Sequence, residues 1–171
     1  MVSTSGPRSG GGDDTTGPTA AADVDEVAAA STREMLDADR ASAMLGIRLV
    51  EVGPGRAVLR MTVREDMVNG WDLCHGGLIA SLADSAFAVA CNSRGQVTVA
   101  SGFDVSFVES GRLGDELVAD AREVSLRGRS GLYDVTVRRR VDDVVIAEFR
   151  GRSRAVGRTN PAVERLLEPP S

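Results

Sequence analysis

Asn69 to Gly95 reads NGWDLCHGGLIASLADSAFAVACNSRG. It holds the only histidine (His75), the only tryptophan (Trp71) and both cysteines (Cys74, Cys91) of the 171-residue chain. Counted from Leu78 at about 100° per residue, Leu78, Ile79, Leu82, Ala83, Ala86, Val89 and Ala90 share one face of a helix. Asp84 falls almost opposite the centre of that face, flanked by Ala80, Ala88 and Cys91. The stretch therefore predicts one long helix, with an apolar side for the core and a side of small residues carrying one carboxylate. His75-Gly76-Gly77 marks its start, because a glycine in a helix interior costs about 1 kcal/mol. The first N–H groups of a helix have no internal partner, and the dipole makes that end electropositive. Lacking a Cβ, Gly76 lets an oxygen approach those donors. The start is thus either an oxyanion hole or anion site, or a plain turn into a helix.

Outward from the helix, strand signals dominate on both sides. Upstream, Ile47 to Val52 is β-rich, Pro54-Gly55 reads as a turn, and Ala57, Leu59, Met61 and Val63 alternate with polar or outward positions. Downstream, Val97 to Val108, Glu116 to Leu126, Leu132 to Val141 and Val144 to Val156 are strand-like. They are separated by turns at Gly111–Asp115, Arg127–Gly131 and Asp142-Asp143. Consecutive hairpins imply a largely antiparallel sheet of about six strands wrapped around the helix, an α+β fold. Helical spacing also appears from Val24 to Leu45, with Ser31 and Glu34 as a capping box and Gly46 as the stop. The expected boundaries are a disordered tail over 1–30, a folded domain over 31–157 and a loose tail over 158–171. One sheet on one helix leaves edges unpaired, so at least a dimer is expected.

The formal net charge of −5 argues against nucleic-acid binding, which needs a basic footprint. All 20 basic residues are arginine, so lysine Schiff-base chemistry is excluded. No apolar run is long enough for a membrane span, and no signal peptide is evident. The two cysteines fall at opposite ends of the helix, about 25 Å apart, beyond bridging distance. Free thiols in a reducing cytoplasm are expected. Cys74 beside His75 reads as a nucleophile or as a buried, inert thiol; it has no second polar neighbour, which favours the latter.

The order of elements resembles the hotdog fold, and several segments are similar to those of the PaaI-type acyl-CoA thioesterases. They are Met67-Val68-Asn69-Gly70, Cys74-His75-Gly76-Gly77, Ser81-Leu82-Ala83-Asp84, Ala86-Phe87-Ala88 and Ala90-Cys91-Asn92-Ser93. Val99-Ala100-Ser101, Gly114-Asp115, Gly131-Leu132-Tyr133-Asp134 and Phe149-Arg150-Gly151 extend the likeness, which spans roughly Leu36 to Val156. The resemblance implies that Asp84 attacks the thioester or activates water. It implies that Gly76 donates its N–H to the thioester oxygen and that Asn69 helps orient the water or the carboxylate. By their residues alone, Asp84 also fits a solvated helix position and Asn69 a turn cap. His75 reads as fixing the Gly76 loop rather than moving a proton.

Gly76 and Asp84 are eight positions apart, about 12 Å along a helix, so one carbonyl cannot touch both in one subunit. A twofold dimer would bring one chain's Gly76 to the other's Asp84. Relatives are commonly tetramers, so a homotetramer is the expected assembly. Coenzyme A, part of the substrate rather than a cofactor, brings phosphates. Arg127-Gly128-Arg129-Ser130-Gly131 is the best candidate to meet them, with Arg112, Arg152 and Arg154 weaker. No separate cofactor and no metal ligands are assigned. The expected substrate is a hydroxyphenylacetyl-CoA, phenylacetyl-CoA or similar aryl or medium-chain thioester, as in phenylacetate catabolism. Phe87, Phe103 and Phe107 read as core rather than as an aromatic pocket. Two competing readings are a hotdog enoyl-CoA hydratase or dehydratase and a non-catalytic acyl-CoA sensor. The first needs a catalytic histidine outside an HGG motif and the second a DNA-binding module; neither is evident.

Overall fold

The structure, a computed structural model, describes residues 22–168. Two helices open the chain, α1 (Val24–Ala38) and α2 (Arg40–Leu45), followed by strands β1 (Arg48–Gly53) and β2 (Arg56–Thr62). A 3-10 turn over Glu65–Met67 leads to the long helix α3 (Gly76–Asn92). Then come β3 (Gln96–Phe107), β4 (Glu116–Arg127), β5 (Ser130–Arg139), β6 (Val144–Thr159) and a last helix α4 (Pro161–Leu167). The six strands form one antiparallel sheet in the order β1-β2-β4-β5-β6-β3. This is the hotdog arrangement, with α3 as the filling.

Ile79, Leu82, Ala83, Ala86, Phe87, Val89 and Ala90 are the buried side of α3. They meet Ala57, Leu59, Met61, Leu117, Ala119, Ala121, Tyr133, Val135, Val137 and Phe149 from the sheet. Alanines on β2 and β4 leave room for the helix to lie close. Phe87 fits because Gly151 has no Cβ: one added there would stand 2.8 Å from the ring. Its ring meets Tyr133 edge-on at 5.5 Å and Phe149 at 5.8 Å. The outer face of the sheet carries cross-strand ion pairs such as Arg150–Asp134 and Arg152–Asp104. These are exposed and worth little each, about 0–1 kcal/mol.

Several sequence expectations need correction. The domain does not begin at residue 31: α1 starts at Val24, capped by the Asp23 carboxylate. Ser31 is mid-helix and 0% exposed, so it forms no capping box. The helical run is also broken, because Asp39 ends α1 and caps α2 by accepting from the Ser42 N–H. Gly46 does stop α2, in the left-handed conformation at φ 71°. The chain after residue 157 is not loose throughout. β6 continues to Thr159, and Asn160 caps α4, whose Val163 is buried. The helices α1 and α4 clasp each other through Arg165–Glu34 and Asn160–Ser31. Most of the expected N-terminal tail, 1–21, lies outside the described residues.

Candidate active site

The loop before α3 is built by its own backbone. Asn69 accepts from the N–H groups of Trp71 at 2.9 Å and Leu73 at 3.3 Å, and its N–H donates to the Leu73 carbonyl. This closes a tight turn that leaves Trp71 84% exposed. The carboxamide oxygen of Asn69 is thus spent on the turn, while its Nδ2 makes no hydrogen bond among the described residues. Cys74 then donates its N–H to Gly111, and His75 donates its own to Met67, so the helix start is held from two sides.

His75 is the N-cap. Its Nδ1 accepts from the Gly77 N–H at 3.1 Å, a role that requires a ring without a proton on that nitrogen. Leu78 and Ile79 donate to the His75 carbonyl. Of the first four N–H groups of α3, three are therefore used. The Gly76 N–H has no partner among the described residues.

Asp84 lies two turns along α3, half-buried among Ala80, Ser81 and Ala88. Its carboxylate joins no ion pair or hydrogen bond among the described residues. Burial, with no cation to offset it, holds its pKa above the ordinary 3.8. Because the folded-state value is the higher one, ionised Asp84 weakens the fold. Its contribution is most favourable below 3.8 and is lost as pH rises through the elevated value. Asp84→Asn should therefore raise Tm at pH 7, and thermal melts at falling pH should see the gap close as Asp84 protonates.

The cysteines are buried and unpaired. Burial, and secondarily Asp115, pushes the Cys74 thiol up to about 11; burial pushes Cys91 up to about 12. Neither is a ready nucleophile.

The arginine turn lies at the other end of the molecule. Ser130 is in register with Arg154 on β6, and Arg154 with Val99 on β3, beside the point where Asn92 at the end of α3 hydrogen-bonds Thr98. The Gly76 end is marked by Phe107, in register with Ala147. Seven strand steps from Ala147 to Arg154 span roughly 23 Å. Within the turn, Gly128 adopts φ 57° and Arg129 donates Nε to the Ala155 carbonyl at 2.8 Å. Arg154 reaches Ser130 at 3.3 Å and Arg152 is paired with Asp104. Arg112 sits at the Gly76 end, bridged to Leu73. One protomer therefore does not bring Asp84, Gly76 and the arginine turn together. A depression of about 650 Å³ on the outer sheet face, lined by Arg56, Asp120, Arg122 and Asp134 among others, holds none of them; its arginines are engaged with carboxylates.

Phe87 is core, but Phe103 and Phe107 are not, contrary to the sequence reading: they are 44% and 53% exposed. Both lie on β3, an edge strand, so their ring faces project past the cover of α3. Phe103 stacks on Phe149 at 4.8 Å, and Phe107 caps Gly76, where an added Cβ would lie 2.9 Å from its Cζ. Periodicity alone could not have found this, because an alternating strand looks the same at an edge and in the centre.

Known proteins resemble this chain over most of its length. The family description "Thioesterase superfamily" matches residues 72–146. The acyl-coenzyme A thioesterase PaaI of Escherichia coli is 41% identical over 125 residues, which cover 73% of this chain and 89% of the relative. The structure of the E. coli PaaI protein from the phenylacetic acid degradation operon superposes with a TM-score of 0.78 at 37% identity, covering 80% of this chain and 99% of that one. A Streptococcus mutans protein, solved bound to acetyl CoA, is 25% identical with a TM-score of 0.63, covering 66% and 90% of the two chains.

Proposed function

The chain belongs to the thioesterase superfamily, and from that premise we propose that it hydrolyses acyl-CoA thioesters, with Asp84 of one protomer and the Gly76 N–H of a second acting on the same carbonyl. The observation that carries this reading is a pair of groups on α3 left idle among the described residues: a carboxylate with raised proton affinity and no partner, and an N–H with no acceptor. Asp84 either takes a proton from the attacking water or attacks first and is released by water. In the first route the water oxygen bonds to the carbonyl carbon, the C–S bond breaks, and the proton taken by Asp84 passes to the coenzyme A sulfur. In the second an Asp84 C–O bond replaces the C–S bond, water then replaces that bond in turn, and the water supplies the proton the thiolate takes up. The Gly76 N–H meets the oxyanion, an effect typically worth about 2.7–4 kcal/mol. His75 acts by capping α3, and the Nδ2 of Asn69, which bonds to no described residue, orients water or the Asp84 carboxylate.

The two copies pair antiparallel through the edge of β3, which no strand covers among the described residues. This would lay the Gly76 end of one protomer alongside the arginine turn of the other. The coenzyme's phosphates then fall to Arg127, Arg129 and the N–H groups of Gly128 and Gly131, with Arg112 secondary. The acetyl CoA held by the S. mutans relative favours this carrier. The operon of the E. coli relative, with the half-exposed rings of Phe103 and Phe107, favours phenylacetyl or hydroxyphenylacetyl as the acyl group. The working form is a cytoplasmic dimer of dimers.

The test is a panel of acyl-CoAs with a thiol reagent. Thiol release from phenylacetyl-CoA is the expected result. Water addition to an enoyl-CoA, or binding without turnover, would replace this reading by the hydratase or the sensor. In the same panel, Arg127→Ala with Arg129→Ala should raise KM for the CoA thioester about tenfold, the equivalent of about 1.4 kcal/mol. KM for a phosphate-free N-acetylcysteamine thioester should stay unchanged.

A further inference from the structure

Phe107 ends β3 with half of its surface exposed. A structural phenylalanine would normally be turned inward from such a place. Instead its ring points end-on at Gly76: a Cβ built there would lie 2.9 Å from Cζ, 3.3 Å from Cε2 and 3.4 Å from Cε1. The ring thus occupies the space that glycine alone leaves open. Next to it is the Gly76 N–H, which donates to no group among the described residues. On the same strand face, Val105 packs on the core and Phe103 stacks on Phe149, which anchors the strand that carries the ring.

We infer that Phe107 is a positioning residue for the oxyanion donor: seated against Gly76, its ring fixes the first turn of α3 and keeps water from the unpartnered N–H. This rests on the thioesterase reading above and adds to it. Gly76 is glycine because this ring fills the space a Cβ would need, and the substrate oxygen approaches from the side of the N–H instead. A donor held still and dry is worth more to a developing oxyanion than the same donor in water. Misplacement by about 1 Å can cost on the order of 100-fold in rate.

Phe107→Ala should lower kcat by about 10- to 100-fold with KM for phenylacetyl-CoA little changed, while the protein stays a folded dimer by circular dichroism and sedimentation. Hydrogen exchange at the Gly76 amide, followed by NMR without substrate, should quicken by about tenfold or more. Gly76→Ala should lose activity for want of room, and adding Phe107→Leu should restore part of it. Three results would overturn the inference: kcat within about twofold of wild type in Phe107→Ala, a dissociated Phe107→Ala protein, or a Gly76→Ala defect indifferent to Phe107→Leu. Its failure is distinguishable from failure of the parent reading. In the first case the wild type still hydrolyses acyl-CoA and Asp84→Asn does not; in the second the wild type hydrolyses none of the panel.

Discussion

Asp84→Asn should cut kcat by about 10²- to 10⁴-fold, the usual contribution of a positioned base, and leave KM for acyl-CoA nearly where it was. The substitution keeps the shape of the side chain and removes only its basicity. Nothing else in the chain leans on the carboxylate, since it bonds to no described residue, so the fold has no reason to suffer. At about 1.36 kcal/mol per decade, the loss corresponds to roughly 2.7–5.5 kcal/mol of transition-state stabilisation. The wild-type kcat/KM should fall as pH drops through the raised pKa of Asp84, above 3.8, because only the ionised form can take a proton. Steady-state kinetics on a set of acyl-CoAs across pH checks both statements. Wild-type turnover in the variant would remove Asp84 from the chemistry.

Two dead proteins should make a live one. If each site takes its acid from one chain and its N–H from the other, an Asp84→Asn homodimer and a Gly76→Pro homodimer are both inactive. Proline suits the backbone of a first helical position and abolishes the donor, and its Cβ also meets Phe107; both effects disable only the site that uses that chain's helix start. Unfolding and refolding them together at equal concentration makes about half of the dimers mixed. Each mixed dimer has one site with both defects and one with none, so activity should return to about a quarter of wild type. A site contained in one chain would give no recovery at all. The measurement is thiol release before and after exchange, with each parent refolded alone as the control.

The helix and its neighbours were legible for plain reasons. The apolar spacing of Ile79, Leu82, Ala83, Ala86, Val89 and Ala90 matches the buried side of α3. The breaks at Gly46, Pro54-Gly55 and Arg127–Gly131 fall where the chain turns. What escaped was tertiary. Ser31 looked like a cap because serine often is one, but α4 folds back over that part of α1 and buries it. Phe103 and Phe107 looked like core because aromatic side chains usually fill it, yet strand order puts them at an edge. For the site, the motif around His75 pointed to Gly76 and Asp84. It could not show that His75 itself satisfies three of the helix's four leading donors through its ring and carbonyl, leaving one idle.

Among the described residues, the twelve of β3 present a row of main-chain donors and acceptors that no strand pairs with on one side, interspersed with half-open apolar rings. A lone protomer of this kind is adhesive: any passing extended peptide finds a template there. On the proposed shared site, mating with its twin is the state that would be both safe from clumping and able to turn over. Selection for staying in solution and selection for turnover press on the same seam. Lesions there should surface first as precipitation on overexpression rather than as a sluggish enzyme.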